Sequence, residues 1–373
     1  MRWRPAAVIS ADNRLPPRGK CLALICGMKR GGSPAMLLLA IAIFGVAHSG
    51  AAQQRPLDDR ARTAFMRSAQ VWSPTDIGSL DLRAGPLVDG AFEPNQLVDC
   101  EYVERKLHGS TRKFACAITP HDVVKVRYGS HNREVQASVI ATRLLWALGF
   151  AADHVYPVQV RCSGCSSDPW HRPERITGEH VFTPAVIERR PDGYEMSAAG
   201  GKAGWSWREL DLADESMGGA SVAQRDALKL LAVFMQHTDT KREQQRLLCL
   251  PGPLVDGQCG RPFLMLHDVG LTFGHANTFN AAGSGSVNLD EWASTPIWKD
   301  ADACVGRLSK SVTGTLENPQ ISEAGRKFLA NLLAQLTDQQ LYDLFEVSGV
   351  SRIPEWVETF KSKRGEIDRA RCP

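Results

Sequence analysis

Beyond residue 52 the sequence has no run of about 20 apolar residues, the length a membrane-spanning helix needs. Internal repeats and low-complexity tracts are also missing, and so is the G-x-S-x-G elbow or H-E-x-x-H helix of the commonest hydrolases and zinc proteases. A general excess of positive charge is absent once the first 52 residues are set aside. Those hold seven basic side chains (Arg2, Arg4, Arg14, Arg18, Lys20, Lys29, Arg30) against one acid, Asp12, and residues 53–373 carry 37 basic against 40 acidic ones. No electrostatic attraction to nucleic acid is therefore expected. What remains is an ordinary globular composition, with 43% hydrophobic and 23% charged residues, 32 Gly and 21 Pro among 373. It excludes wholesale disorder, collagen and coiled coil, and allows one large domain or two lobes sharing a cleft.

The N-terminus carries a processing signal. Lys29 and Arg30 precede an apolar run from Met36 to Ala47 and a small-residue stretch ending Gly50-Ala51-Ala52. A basic region, about a dozen apolar residues and a small-residue site describe a secretory signal peptide over 28–52, with cleavage near Ala52 and residues 1–27 as an upstream extension. An exported, bacterial, periplasmic or extracellular protein is expected, with no transmembrane span after cleavage. Eight of the ten cysteines then remain, which in an oxidising compartment allows up to four disulfides. Cys249 and Cys259 close the loop LPGPLVDGQ, and Cys100 and Cys116 lie symmetrically about a turn near His108-Gly109, so each pair fits a local staple. Cys162-Ser-Gly-Cys165 fits a local disulfide first. A structural Zn2+ site with His171 and His180 ranks second, because four tetrahedral ligands are not evident, and a redox motif ranks third.

Residues 53–96 read as a leader or linker, a short helix followed by turn-rich, loosely packed chain. From Leu97 the texture becomes β-rich. LVDCEYVER, KFACAI and VVKVRYG, separated by turns, predict an antiparallel meander. Asn132 can cap a helix over REVQASVIATRLLWALGF that packs on the sheet, and HVYPVQVRC and VFTPAVIERR read as further strands, completing a lobe over 97–195. Residues 196–373 read as mainly helical: AQRDALKLLAVFMQH, a helix capped by Ser322 and one opened by the capping box Thr337 to Gln340. Trp205 and Trp207 are expected in core packing.

Four polar signals follow one another in order: Lys125 on a strand, Glu134 in the first turn of the next helix, His237-Thr-Asp239-Thr-Lys241-Arg-Glu-Gln244 after an apolar helix, and Asp268-Val-Gly270 after an apolar strand. The third string resembles the protein-kinase catalytic loop, with Gln244 where the metal-binding Asn stands, and the fourth resembles DFG with Val for Phe. GSTRKF occupies the place of the phosphate-covering loop but lacks the glycines of G-x-G-x-x-G. The short interval from Lys125 to Glu134 and the D-x-G-x-x-F-G string at 268–274 are similar to the lipid-kinase-like group and to secreted kinases of the secretory pathway. The resemblance spans about residues 97–346.

It implies an α+β, kinase-like two-lobed architecture, with a small antiparallel-sheet N-lobe bearing one helix and a larger, mainly helical C-lobe. It also implies ATP or another nucleotide with Mg2+ or Mn2+, and a phosphoryl acceptor that the sequence does not identify. In that carry-over Lys125 binds the phosphates and Glu134 orients it. Ser110, Thr111 and Lys113 cover the phosphates, and the backbone at Ile187-Glu188-Arg189 forms the adenine hinge. Asp239 aligns or deprotonates the acceptor, Lys241 stabilises the transferring group, and Asp268 and Gln244 hold the metal. The alternative is a catalytically inactive, kinase-like binding or scaffold protein stabilised by disulfides.

Overall fold

The computed structural model describes residues 56–197, 204–253, 258–275 and 287–373. The expected upstream extension, signal peptide and cleavage site lie outside the described residues. The chain is α+β. Alternating apolar residues form strands β1 (Leu97–Val103), β2 (Lys113–Thr119), β3 (Asp122–Tyr128), β4 (His154–Ser163) and β5 (Glu179–Arg189). Their order is β1-β2-β3-β5-β4, and the sheet closes. The expected meander is there, but β1 also pairs with β4 in parallel, with Cys100 opposite Cys162, so the sheet is a mixed barrel rather than an open antiparallel one. Val98, Tyr102, Phe114, Cys116, Val126, Val160 and Phe182 fill its interior. The opposite parity on β3, Lys125 and Arg127, must then point outward.

Helix α1 (Asp59–Ser68) opens the described chain, and α2 (Glu134–Ala147) follows β3. Arg133 precedes the first residue of α2, and the Asn132 amide instead holds the Arg112 and Tyr128 carbonyls, so Asn132 is not the helix cap. Nearly the whole circumference of α2 is buried. Val135 and Val139 face Val155 and Val186, while Ile140, Ala141, Leu144 and Leu145 enter the main core. An apolar surface on all sides marks a helix enclosed by two layers. The residues read as a loose leader are part of that core, with Phe65, Met66, Val71, Ile77 and Leu82 buried. Trp72 Nε1 donates to the Leu148 carbonyl at 2.8 Å and Ser73 N to Gly149 O at 2.9 Å. Gly149, at φ +84°, permits the approach, since a Cβ there would lie 2.0 Å from Ser73 O.

Helix α3 (Val222–Phe234), opened by a Ser221–Gln224 capping box, is the centre of the helical part. A three-stranded sheet is formed by β6 (Tyr194–Glu195), β7 (Gln245–Cys249) and β8 (Pro262–Leu266), and β6 pairs with β7 although the sequence placed it in the N-terminal lobe. After α4 (Leu289–Ser294), β9 (Trp298–Asp300) and β10 (Val305–Gly306) come α5 (Glu323–Ala334), α6 (Asp338–Ser348) and α7 (Ile353–Arg369). Ser322 and Thr337 cap α5 and α6 as their sequences predict. Helix α7, with Pro354 in its first turn, was not anticipated. Trp205 and Trp207 are core residues. Among the described residues four disulfides form: Cys100–Cys116, Cys162–Cys165, Cys249–Cys259 and the unforeseen Cys304–Cys372. With Cys162 and Cys165 bonded to each other, neither offers a thiolate to zinc.

Candidate functional site

The outward face of β3 meets three carboxylates. Lys125 stands opposite Glu188 in the ladder to β5, and its ammonium lies 2.6 Å from Glu188 Oε1. Two residues on, Arg127 is almost fully enclosed. Its Nη1 lies 3.0 Å from Glu134 Oε2, and its Nη2 lies 2.5 Å from Asp268 Oδ1 and 3.6 Å from Glu188 Oε2. The helix glutamate therefore engages Arg127, not Lys125, and this corrects the pairing expected from sequence. Both cations share one face of β3, and the outer end of the strand, nearer the start of α2, puts Arg127 in reach. Glu188 contributes its side chain to this network, where the sequence had suggested only its backbone.

The loop between β1 and β2 closes over the same group. Thr111 Oγ1 donates to Glu134 Oε2 at 2.8 Å, and Ser110 is exposed. Lys113 sits directly across the ladder from Arg127, is buried, and lies over the Trp170 ring at 5.7 Å. Its ammonium is pushed below the usual lysine range by burial and then by Arg127. Like charges directly opposite in neighbouring strands destabilise a sheet unless an anion lies nearby, and Asp268 and Glu134 supply part of that negative charge.

Asp268 follows β8 at φ +53°, in the left-handed region. Burial would raise its pKa, but Arg127 and then Lys125 outweigh burial and hold the carboxyl well below the usual range. Gly270 lets this turn lie against the network, because a Cβ would come within 3.0 Å of both Arg127 Nη1 and Glu134 Cγ. His267, just before Asp268, has Nδ1 2.5 Å from Oδ2 of the buried Asp153.

Asp239 occupies a second loop, after α3. Its Oδ2 lies 3.1 Å from Lys241 Nζ and accepts from Gln244 Nε2 at 3.0 Å. The loop is fixed from behind: Thr315 Oγ1 donates to Thr240 O at 2.7 Å, and Thr240 Oγ1 accepts from the Thr315 and Leu316 amides. His267 N donates to Gln244 O at 2.8 Å, which ties the two loops together. His237 lies fully buried beside them with its ring 6.3 Å from Trp207, and burial pushes its pKa down to about 4 against the pull of Asp239 and Asp268.

The structure thus gathers Thr111, Lys113, Lys125, Glu134, Glu188 and Asp268 in one network and Asp239, Lys241 and Gln244 in an adjoining one. Sequence reasoning missed Arg127, Asp153 and His267. For Arg127 the signal was present, since it shares Lys125's strand face. Asp268 and the Gln244 amide are oxygen donors of the kind Mg2+ and Mn2+ take, beside three cations that suit phosphate oxygens. No protein-family model matches the chain, and no curated protein matches it in sequence. Among solved structures it has a distant likeness to the Helicobacter pylori proinflammatory kinase CtkA, at 10% identity and a TM-score of 0.41, over 74% of this chain and 96% of that one. A likeness so slight assigns no residue a role.

Proposed function

We propose that the protein is an exported, kinase-like, ATP- and metal-dependent phosphotransferase. The observation that carries this reading is the continuous chain Thr111–Glu134–Arg127–Asp268, which joins a strand-linking loop, a helix, a strand and an Asp-x-Gly turn through one buried guanidinium. Phosphoryl transfer asks a protein mainly to neutralise phosphate oxygens and to position the acceptor hydroxyl. Arg127, Lys113 and Lys125 provide the positive charge, and Glu134 and Glu188 hold two of these cations in place. Asp268, with Gln244, would hold the divalent ion, which when bound neutralises charge on the phosphates. Asp239 orients the acceptor hydroxyl and takes its proton, and Lys241 lies beside it to meet the transferring group. The four disulfides are compatible with the oxidising compartment that the N-terminal signal suggests.

One observation favours a silent binding protein instead. Asp268 Oδ1 is engaged by Arg127 and the Gln244 amide nitrogen by Asp239, so each of the two metal ligands is already held by a protein partner that a divalent ion would have to accommodate. Thermal unfolding with ATP and Mg2+ or Mn2+ separates the readings. A ligand at 100 times its Kd stabilises the folded state by about 2.7 kcal/mol. A metal-dependent rise in Tm, lost in Asp268→Ala, is expected. No rise with any nucleotide or metal, in protein shown to be folded, would sink the enzyme reading.

A further inference from the structure

Two of the disulfides are not independent of each other. Cys100 and Cys116 link neighbouring strands β1 and β2, and Cys162 and Cys165 close the turn at the end of β4. The parallel seam of the barrel sets Cys100 opposite Cys162, and all four side chains belong to the barrel interior. Cys162 Sγ consequently lies 3.6 Å from Cys116 Sγ. Four sulfurs are therefore joined in sequence, Cys165, Cys162, Cys116, Cys100, with a bond at each end and a van der Waals contact in the middle, and the path bends at Cys116 because Cys100, Cys116 and Cys162 Sγ all lie within 4.8 Å of one another. Thiol–disulfide exchange needs a thiolate that reaches a disulfide sulfur in line with the bond to be broken; the middle contact supplies the proximity, and once Cys162 is released from Cys165 a turn about its Cα–Cβ bond brings it into line. The small barrel also helps, since inward side chains from β2 and β4, on either side of β1, converge.

We propose that these four cysteines form an intramolecular thiol–disulfide relay, in which reducing the C-x-x-C pair moves the covalent brace of the barrel from β1–β2 to β2–β4. In the first step local opening of the turn after β4 exposes Cys162–Cys165, which is buried in the closed barrel, and a dithiol reductant gives it two electrons and two protons. Its own thiols become a disulfide, and Cys162 and Cys165 become thiols. In the second step Cys162 loses its proton to solvent and its thiolate attacks Cys116 Sγ. The Cys116–Cys162 bond forms, the Cys100–Cys116 bond breaks, and the electron pair leaves on Cys100, which takes up a proton. The second step involves no net oxidation. The product carries thiols on Cys165 and Cys100, and Cys100 is the most exposed of the four, at 8% against 0% for the others. The β1–β2 hairpin, whose loop presents Thr111 to Glu134, loses its staple in the process. The relay rests on sulfur geometry alone and is independent of the nucleotide reading.

The test is disulfide mapping by acid-quenched alkylation and peptide mass spectrometry. In Cys165→Ser, Cys162 has no partner of its own, and most chains are expected to contain Cys116–Cys162 with Cys100 alkylated. In Cys162→Ser, Cys100–Cys116 is expected to stay intact with Cys165 alkylated. An intact Cys100–Cys116 with only Cys162 alkylated in Cys165→Ser overturns the relay. Should that variant fail to fold, limited reduction of the wild-type protein with dithiothreitol decides. An intermediate with thiols on Cys100 and Cys165 supports the relay. Thiols on Cys162 and Cys165, or loss of both bonds with no intermediate, refutes it. Cys249–Cys259 and Cys304–Cys372 serve as internal references.

Discussion

Asp268 and Asp239 lie in two neighbouring loops, and both act electrostatically on the same buried His237, yet they are held in different ways. Asp268 is gripped by a guanidinium whose side chain is 2% exposed and which also binds Glu134 and contacts Glu188. Asp239 is met by a lysine whose side chain is 35% exposed and by one amide. The first carboxylate is part of a desolvated network that removing one partner would leave uncompensated. The second is itself buried, with a side chain 11% exposed against 24% for Asp268, and what sets it apart is that its lysine partner reaches solvent and can be exchanged for an acceptor hydroxyl. The same residue type thus serves as an anchor in one loop and as an adjustable group in the other.

The largest way to break this contrast is Arg127→Met, which takes the nearest cation from Asp268 and Glu134 and leaves Glu188 with Lys125. A loss of about 3–5 kcal/mol is expected from urea unfolding, and a loss under about 1 kcal/mol would show that the carboxylates are not held by Arg127. Next comes pH. An unfolded imidazole takes a proton near 6.5, whereas folded His237 does so only at about 4. Between those values the unfolded chain binds more protons, so stability falls as pH drops from 6.5 to 4, by about 3 kcal/mol. His237→Gln should flatten that part of the curve and leave the further loss at lower pH, where the depressed Asp268 carboxyl finally protonates. A smaller effect, about 1–2 kcal/mol, is expected for Lys125→Met, whose partner Glu188 keeps Arg127 nearby. Smallest in stability is Asp239→Asn, about 1 kcal/mol, because the amide keeps the shape of the buried side chain and its oxygen can still accept from Gln244. If the phosphotransfer reading holds, the same change lowers turnover by about 10²–10⁴-fold. Equal stability losses for Arg127→Met and Asp239→Asn would erase the distinction.

Local patterns in the sequence were reliable guides where a local cause determines the structure. The turns between β1, β2 and β3, the caps at Ser322 and Thr337 and the staples Cys100–Cys116 and Cys249–Cys259 each depend on residues close in the chain. Lys125 drew attention because it interrupts a run of valines, whereas Arg127 becomes central only when α2 and the Asp268 turn close on it from 7 and 141 residues away. The β1–β4 seam was illegible because alternation says which side chains point inward and not which strand lies alongside. The segment after α1 looked loose because its buried residues follow no helical or strand period; they fill gaps left by α2 and the helical core. Cys304–Cys372 spans 68 residues with no turn to announce it.

Closure of the five strands has a consequence for how another chain can be received. A sheet with two free edges offers rows of unpaired amides and carbonyls, and many proteins capture extended peptides by letting them lengthen such a sheet. The parallel pairing of β1 with β4 uses up both of those rows. A polypeptide partner must therefore be recognised on this barrel through side chains and loops, and the β8 margin of the β6-β7-β8 sheet offers no alternative, because Gln70 and Ala152 already pair with it.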